Sequence, residues 1–452
     1  EAFYQKIPIV IITGDRYSCY IGQMEAQMIK QYGIFSDVSK KSVTLPIGNT
    51  SRDKWECYRK ICETLLEVDH HGKGPVHINF PIDIIEHNPP APETLVLPIV
   101  KKIDRIDFNS SESIWKDSFE LLKRAKRIMV IYGQNTPLSK EDKMYFDQFT
   151  EKYNCVVLTD HLSNVHGTWC LNPYRLLKKW TNDQFKRNLM PDLVIYVGGK
   201  RTLNCPLQGK MRSIIRRINF WHITDDGNVA DIYGKLTTVF ECSQSWFFKH
   251  FASIAGNIRN DGRYYKLWKN YLDEITPVDL SKVGFTSFYT MGKFALNIPK
   301  NSFLHLGVGN TFINIENYPL DESIIVYCNM GTNGIDGSAS SFIGQCVKSK
   351  QKGFLLIGDL SFFYDMNSLW NKKLNGNVRI LLNNDSGAGL LSHYQSPSIT
   401  HEHHTKAEGW VKSLGFKYMS ANNKDEFNEK LDEFLNGDSI EPVFFEVFTI
   451  RR

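Results

Sequence analysis

The chain has 452 residues, 42% hydrophobic and 23% charged, with a net charge of +5 at neutral pH. That length exceeds one ordinary core and predicts two or three domains of a soluble globular protein. Scattered Lys and Arg argue against a nucleic-acid tract, and no apolar run approaches the roughly 18 residues of a membrane span.

Nine cysteines without a Cys-x-x-Cys pair argue against a disulfide scaffold or zinc ribbon and for a reducing cytoplasm. The densest basic run, Lys210-Met211-Arg212 to Arg216-Arg217, is expected to be a solvated helix face.

In chain order, Ile7–Thr13 reads as a strand running into the turn Gly14-Asp15-Arg16. Helical spacing follows near Gln23–Tyr32. It recurs over Lys54–Asp69, where Trp55, Tyr58, Ile61, Cys62 and Leu65 share one face. Gly74–Pro81 is a strand bounded by turn residues, and Glu86–Pro92 is a proline-rich linker. A strand so soon after Glu1 leads us to expect further N-terminal sequence in the natural protein. Residues 1–95 then form the C-terminal half of an α/β domain.

Residues 96–275 alternate helix and strand. Helices are expected at Glu112–Ala125 and Lys140–Tyr153, and strands at Arg127–Tyr132, Cys155–Leu158, Leu193–Val197 and Asn219–Ile223. That rhythm predicts a doubly wound parallel sheet. Gly198-Gly199 lacks the rest of a dinucleotide fingerprint, so no cofactor is expected there.

Residues 276–452 repeat the pattern. Ser302–Leu306 ends in Gly307-Val308-Gly309-Asn310, and Ile324–Tyr327 ends in Cys328-Asn329-Met330-Gly331. The apolar run Gly353–Ile357 ends in Gly358-Asp359-Leu360-Ser361, and Val378–Leu382 ends in Asn383-Asn384-Asp385. The helix Lys424–Leu435 and the strand Val443–Phe448 close the unit. Open α/β sheets bind ligands at the carboxyl ends of their strands. An Asp carboxylate and an Asn amide oxygen placed there are hard donors suited to Mg2+. His401-Glu402-His403-His404 lacks the zincin spacing and reads as a solvated loop before a helix Ala407–Leu414.

The Gly-Asp turn with its delayed Asn-Asn resembles the diphosphate anchor of thiamine diphosphate enzymes of the 2-oxo acid decarboxylase and synthase type. The likeness covers essentially the whole chain and is greatest to the menaquinone-pathway synthases, which join the decarboxylated skeleton of 2-oxoglutarate to isochorismate. The resemblance implies three doubly wound α/β domains: pyrimidine-binding (1–95, incomplete), middle (96–275) and diphosphate-binding (276–452). It implies thiamine diphosphate and Mg2+ as cofactors. Asp359, Asn384 and the Ser386 carbonyl would hold the metal; the family usually has Gly at the last position. Leu360 and Ser361 would hold the diphosphate. Asn310, Asn333, Gly334 and Ile335 would line the cofactor, with Ile335 keeping its two rings close. Thr13-Gly14-Asp15-Arg16 and Gln27 also match: Arg16 would face the substrate carboxylate and Gln27 the reactive carbon. A site built between subunits implies a homodimer or homotetramer.

Two features depart from that pattern. Ile315 and Met330 stand where the menaquinone-pathway synthases use arginines for anionic substrates. This leads to an expected carboligating decarboxylase with an altered, less charged substrate. Alternatively, the chain is the menaquinone-pathway synthase, with Lys200 and Arg201 as replacement cations. The family's activating Glu would lie upstream of Glu1, and no residue here is assigned to it. A non-catalytic partner protein is the third reading.

Overall fold

A computed structural model of the chain describes every residue except Tyr17, Gly48, Asn49, 83–100, 200–203, His393, Gln395 and Arg452. The expected linker Glu86–Pro92, and Lys200 and Arg201, lie outside the described residues. The chain divides into two compact units. One holds residues 1–128, 191–196 and 211–258, the other 129–190, 197–210 and 259–452.

The architecture is α/β, with three sheets. The first comprises β1 (Val10–Asp15), β2 (Lys41–Thr44) and β3 (Val76–Pro81), in the order β1-β3-β2, all parallel. The helix Ser51–Leu66 precedes β3 and starts at a reciprocal cap between Thr50 and Asp53. The second sheet comprises β4 (Asp104–Ile106), β5 (Ile128–Tyr132), β6 (Cys155–Leu158), β7 (Cys170–Leu171), β8 (Leu193–Val197), β9 (Asn219–Thr224) and β10 (Thr238–Glu241). Its order is β4-β10-β9-β8-β5-β6-β7. The third comprises β11 (Phe303–Leu306), β12 (Ile325–Cys328), β13 (Gly353–Gly358), β14 (Val378–Asn384), β15 (Lys417–Ala421) and β16 (Val443–Phe448). Its order is β12-β11-β13-β14-β16-β15, and every pairing is parallel.

The third sheet is buried on both faces, which is why its strands read as continuous apolar runs. Leu304, Leu356, Leu381 and Phe445 enter the core on one face. Phe303, Leu355, Ile380 and Phe444 enter the core on the other. Gly353 leaves room for the Phe303 ring, which would lie 2.3 Å from any Cβ placed there.

Long buried strands fall within a residue or two of their expected bounds, and four differences have physical causes. Gln23–Tyr32 forms turns, with Met24 and Gln27 at φ of 59° and 58°. Met24, Ile29 and Tyr32 are exposed, so the apolar stripe has nothing to pack on, and packing is what stabilises short helices. Gly14 and Asp15 belong to β1 rather than to a turn. Lys210 and Met211 are buried on the helix Asn204–Arg212, so the basic run is not a uniformly solvated face. Burial lowers the Lys210 pKa. The strands β2, β4, β7, β10 and β15 escaped the sequence reading because none offers an unbroken apolar run of four residues. Gly198, at φ 81°, brings the chain against the carbonyls of Gly133 and Gln134, so that glycine pair serves packing.

The first sheet is tied through buried polar side chains of β3. Thr13 Oγ1 donates to Asn79 Oδ1 at 2.7 Å and therefore accepts from His77 Nε2 at 2.8 Å. His77 Nδ1 then accepts from Ser42 Oγ at 2.8 Å. Asn79 Nδ2 donates to Asp15 Oδ2 at 2.9 Å, and the other Asp15 oxygen accepts from the Arg16 amide. His77 is neutral in this relay, and burial lowers its pKa from the ordinary 6.5. An imidazole that resists protonation when folded stabilises the fold fully above about pH 6.5. As pH falls through that value the unfolded chain takes the proton first and stability is lost. Urea midpoints measured between pH 7.5 and 5.5 are expected to fall less steeply in His77→Gln than in the wild type. Equal slopes would show that His77 carries no such linkage.

Candidate functional site

Strand order places the site. β11 neighbours β12 on one side and β13 on the other, so the chain reverses its winding direction there and opens a crevice at the carboxyl ends. From β11 the chain passes Gly309, at φ 85°, into the short helix Asn310–Ile315. From β13 it passes Gly358 into the helix Asp359–Asp365. Gly358 is registered with Asn383 on β14, so Asp359 and Asn384 follow at the same level.

Side chains alternate along β14. Ile380 and Leu382 enter the same core as Phe362, Ala407 and Val411. Asn384 therefore points to that face, while Asn383 turns to the other and exchanges hydrogen bonds with Thr290 and Thr449. Asp359 and Asn384 are each 2% exposed. The Asn384 amide is oriented by acceptors. Its Nδ2 donates to Glu446 Oε1 at 2.8 Å and to the Thr405 carbonyl at 3.0 Å. Its Oδ1 must then face the other way, where the Ser386 amide approaches at 3.2 Å. Glu446, fully buried on β16, is held by Tyr418 Oη at 2.9 Å and by the Ala407 amide at 3.1 Å. Sequence reading missed Glu446. Its signal was a single charge inside the apolar run Val443–Phe448.

Ser386 has φ 63°, the left-handed conformation that glycine adopts freely. The loop around it is tight. A Cβ at Gly387 would meet the Thr400 carbonyl at 2.6 Å, and one at Gly389 would meet Asp385 Oδ2 at 2.4 Å and Asn310 Nδ2 at 2.9 Å. Asp359 Oδ2 accepts from the Gly387 amide at 2.9 Å, and Asp359 Oδ1 accepts from the Leu360 amide at 2.6 Å. Burial raises the pKa of Asp359 and pushes that of Asp385 up to about 7, the negative charge of Asp359 adding to the latter. Arg451 donates to the carbonyls of Asp385 and Ser386 and pairs with Glu402 at 3.2 Å.

The histidine loop is not uniformly solvated. His403 turns inward, with Nε2 3.2 Å from Asp359 Oδ2. The Thr405 amide donates to His403 Nδ1, which leaves the ring proton of a neutral imidazole on Nε2, facing the carboxylate. His401, Glu402 and His404 remain exposed, and the following helix spans Glu408–Ser413. Beside this loop an open cavity of about 520 Å3 is lined by Leu360, Phe363, His403, Lys406 and Trp410, among others.

Ser361 Oγ donates to the Ile335 carbonyl, bringing the helix Asp359–Asp365 against the Asn333-Gly334-Ile335 loop. Asn333 is left-handed at φ 58°, and Ile335 is partly exposed. Asp359, Leu360, Ser361, Ile335, Asn384, Ser386 and Asn310 thus stand around one end of the third sheet. Arg16 and Gln27 belong to the other unit and lie together there. Arg16 Nη2 donates to Gln27 Oε1 at 3.5 Å, and Arg16 Nη1 is 3.6 Å from Glu25. Ile315 and Met330, 0% and 7% exposed, lie in the apolar core of the third sheet.

No protein-family profile matches the chain. Three curated relatives are each named 2-succinyl-5-enolpyruvyl-6-hydroxy-3-cyclohexene-1-carboxylate synthase. That of Phocaeicola vulgatus is 34% identical over 461 residues, covering 99% of this chain and 80% of the relative. That of Bacteroides thetaiotaomicron is 34% identical over 466 residues, covering 99% and 81%. That of Bacteroides fragilis is 33% identical over 469 residues, with the same coverage. Likeness of this extent, over a chain whose strand ends carry the Asp359 and Asn384 motif, is that of a family member. The chain belongs to the 2-succinyl-5-enolpyruvyl-6-hydroxy-3-cyclohexene-1-carboxylate synthases, enzymes of the thiamine diphosphate-dependent type.

Proposed function

We propose that this protein decarboxylates a 2-oxo acid and joins the remainder to an acceptor, using thiamine diphosphate and Mg2+, and that it forms the product named for its relatives. The observation that carries this reading is the oxygen set of Asp359, Asn384 and the half-buried Ser386, at and just beyond the ends of adjacent strands. The residues fit a divalent cation. Asp359 is buried and Asp385 half-buried in one loop cluster, and a cation there would favour the charged form of both. Asn384 Oδ1 is turned to the same loop, at the Ser386 amide, by the contacts that hold its Nδ2. The left-handed Ser386 meets the backbone requirement expected of a glycine at that position.

When bound, thiamine diphosphate supplies the electron sink a 2-oxo acid needs to lose CO2, and the metal anchors its diphosphate. Asp359, Asn384 and the Ser386 carbonyl would hold the cation, the carbonyl giving up the hydrogen bond it now accepts from Arg451. Leu360 N–H and Ser361 Oγ–H, now donating to Asp359 and Ile335, would turn to phosphate oxygens. Asn310, Asn333, Gly334 and Ile335 would line the cofactor. Arg16 would present its planar fork to a substrate carboxylate, and Gln27, already within its reach, would orient the reacting group.

A second reading, an altered and less charged substrate, is favoured by Ile315 and Met330. Both are buried among apolar side chains, where an unpaired charge would be costly. Incubating the protein as the cell makes it with both cofactors, 2-oxoglutarate and isochorismate separates the two. Formation of the relatives' product supports the first. CO2 release from an uncharged-chain 2-oxo acid, with none from 2-oxoglutarate, supports the second.

We further propose three domains, 1–95, 96–275 and 276–452, and a homodimer or homotetramer in the cytoplasm. Val10 and Ile12 on β1 leave apolar surface for association, and light scattering tests the oligomeric state. Among the described residues no helix is long and apolar enough to cross a membrane.

Two substitutions test the metal set. A ligand at a hundredfold excess over its Kd stabilises by about 2.7 kcal/mol. For the wild type this is a rise in Tm of at least a few degrees with thiamine diphosphate and Mg2+. Asp359→Asn is expected to remove that rise while leaving the ligand-free Tm within a few degrees. In Glu446→Gln the new amide can donate where the carboxylate only accepted, letting Asn384 turn its Nδ2 toward the cation. Mg2+ affinity is expected to fall about 10–100-fold, as for other groups that orient a ligand. Unchanged Mg2+ dependence in Glu446→Gln would show that Asn384 is held otherwise.

A further inference from the structure

We infer that His70, His71 and Glu241 form a second metal site, of the zinc class, which clamps the turn after the helix Ser51–Leu66 to the end of β10. Three donor atoms converge there. His70 Nε2 lies 2.9 Å from Glu241 Oε2, and His71 Nε2 lies 2.5 Å from Glu241 Oε1. All three donors lie within 4.8 Å of one another. None of these residues is among those assigned to cofactor or substrate.

Hydrogen accounting makes the case. Carboxylates only accept, and a neutral imidazole carries one N–H. His70 Nδ1 lies 3.1 Å from Glu67 Oε2 and its Nε2 2.9 Å from Glu241 Oε2, so the one N–H of a neutral ring serves only one carboxylate; take it on Nδ1. Its Nε2 lone pair then faces a Glu241 lone pair at hydrogen-bond distance. A further proton at this contact would relieve the clash, and so would a metal ion bound by Nε2 and the Glu241 carboxylate together. Arg105 does not fill that role. Its nitrogens donate to Glu67 Oε1 at 2.8 Å, to the Gly227 carbonyl at 3.0 Å and to the Leu66 carbonyl at 3.1 Å. It stands 3.9 Å from Glu241.

The surroundings are those of a built site. A histidine ligand typically donates its other N–H to a carboxylate, as His70 does to Glu67, which fixes the tautomer and leaves Nε2 free to bind. Lys40 Nζ donates to the carbonyls of His70 and Gly72 and so holds the turn from beneath. His71 has φ 50°, which turns its ring alongside that of His70, centroids 3.9 Å apart. Two imidazoles and one carboxylate suit Zn2+, Co2+ or Ni2+ rather than Mg2+ or Ca2+. Three protein ligands with a solvent-facing side leave a fourth position for water, since His71 is 71% exposed.

The test titrates chelator-treated protein, saturated with Mg2+, with ZnCl2 and separately with CoCl2. The wild type is expected to take one Zn2+ at this site with submicromolar affinity, to gain the visible absorption of four-coordinate Co2+, and to rise in Tm with Zn2+. His71→Ala, at an exposed position that leaves the fold intact, is expected to lose all three responses. Glu67→Gln should weaken Zn2+ about 10–100-fold without changing stoichiometry. Absence of the Co2+ bands in the wild type, or equal Zn2+ uptake and Tm response in His71→Ala, would overturn the assignment and leave His70 as a protonated bridge between Glu67 and Glu241.

Discussion

Buried negative charge is the constraint around which the third sheet is arranged. Asp359 is 2% exposed, and Asp385 lies close enough for its charge to be felt. Isolated carboxylates in such a setting neutralise or find a cation. Protein partners meet only part of the demand. Two backbone amides reach Asp359, His403 Nε2 stands 3.2 Å from it, and Arg451 spends hydrogen bonds on the neighbouring carbonyls. Elsewhere in the sheet a buried carboxylate is handled differently. Glu446 accepts from Asn384, Tyr418 and the Ala407 amide and so is fully engaged. The contrast separates a carboxylate that orients its neighbours from one whose charge burial still opposes.

That contrast rests on the parallel sheet. Because both faces are covered, every strand carries apolar residues until it emerges at its carboxyl end, where polar groups first meet open space. The register of β13 with β14 then brings Asp359 and Asn384 to one level. Alternation sends Asn383 to Thr290 and Thr449 on one face and Asn384 to Glu446 on the other. Adjacent asparagines of identical chemistry thus serve opposite sides of the sheet, one locking packing and the other turning its amide oxygen to the Ser386 amide.

Much of this was legible in the sequence because a fully buried strand has a sharp signature. Cys155–Leu158, Leu193–Val197 and Val443–Phe448 have the same bounds in both readings. The Asp359 and Asn384 turns stood out as polar pairs closing apolar runs. Failures occurred where sequence cannot report its surroundings. Gln23–Tyr32 has helical spacing, yet its apolar side chains meet solvent, so the spacing never becomes a helix. His403 sits in a polar run that resembles any exposed loop, and only the fold turns it onto Asp359. Glu446 hid in a strand read for its apolar neighbours. The pair His70-His71 gains meaning only when β10 delivers Glu241, 170 residues later in the chain.

Charge economy also bears on the substrate. Anionic substrates demand cations that can be desolvated beside them, and a buried position holds a cation only if its own surroundings pair it. Ile315 and Met330 sit inside an apolar cluster with Phe312, Tyr318 and Val326. An arginine at either place would need the cluster rebuilt around a guanidinium, not merely a longer side chain. The absence of charge there is therefore a property of the packing, shared by several residues, and single substitutions would not restore it. Arg16 differs. It is half-exposed, and its contacts with Glu25 and Gln27 are long, at 3.6 and 3.5 Å. Exposed pairs of that kind are worth little, about 0–1 kcal/mol. A substrate carboxylate could displace Glu25 at small cost. Of these positions, only Arg16 carries a cation, and it is loosely held, while Ile315 and Met330 are committed to apolar packing.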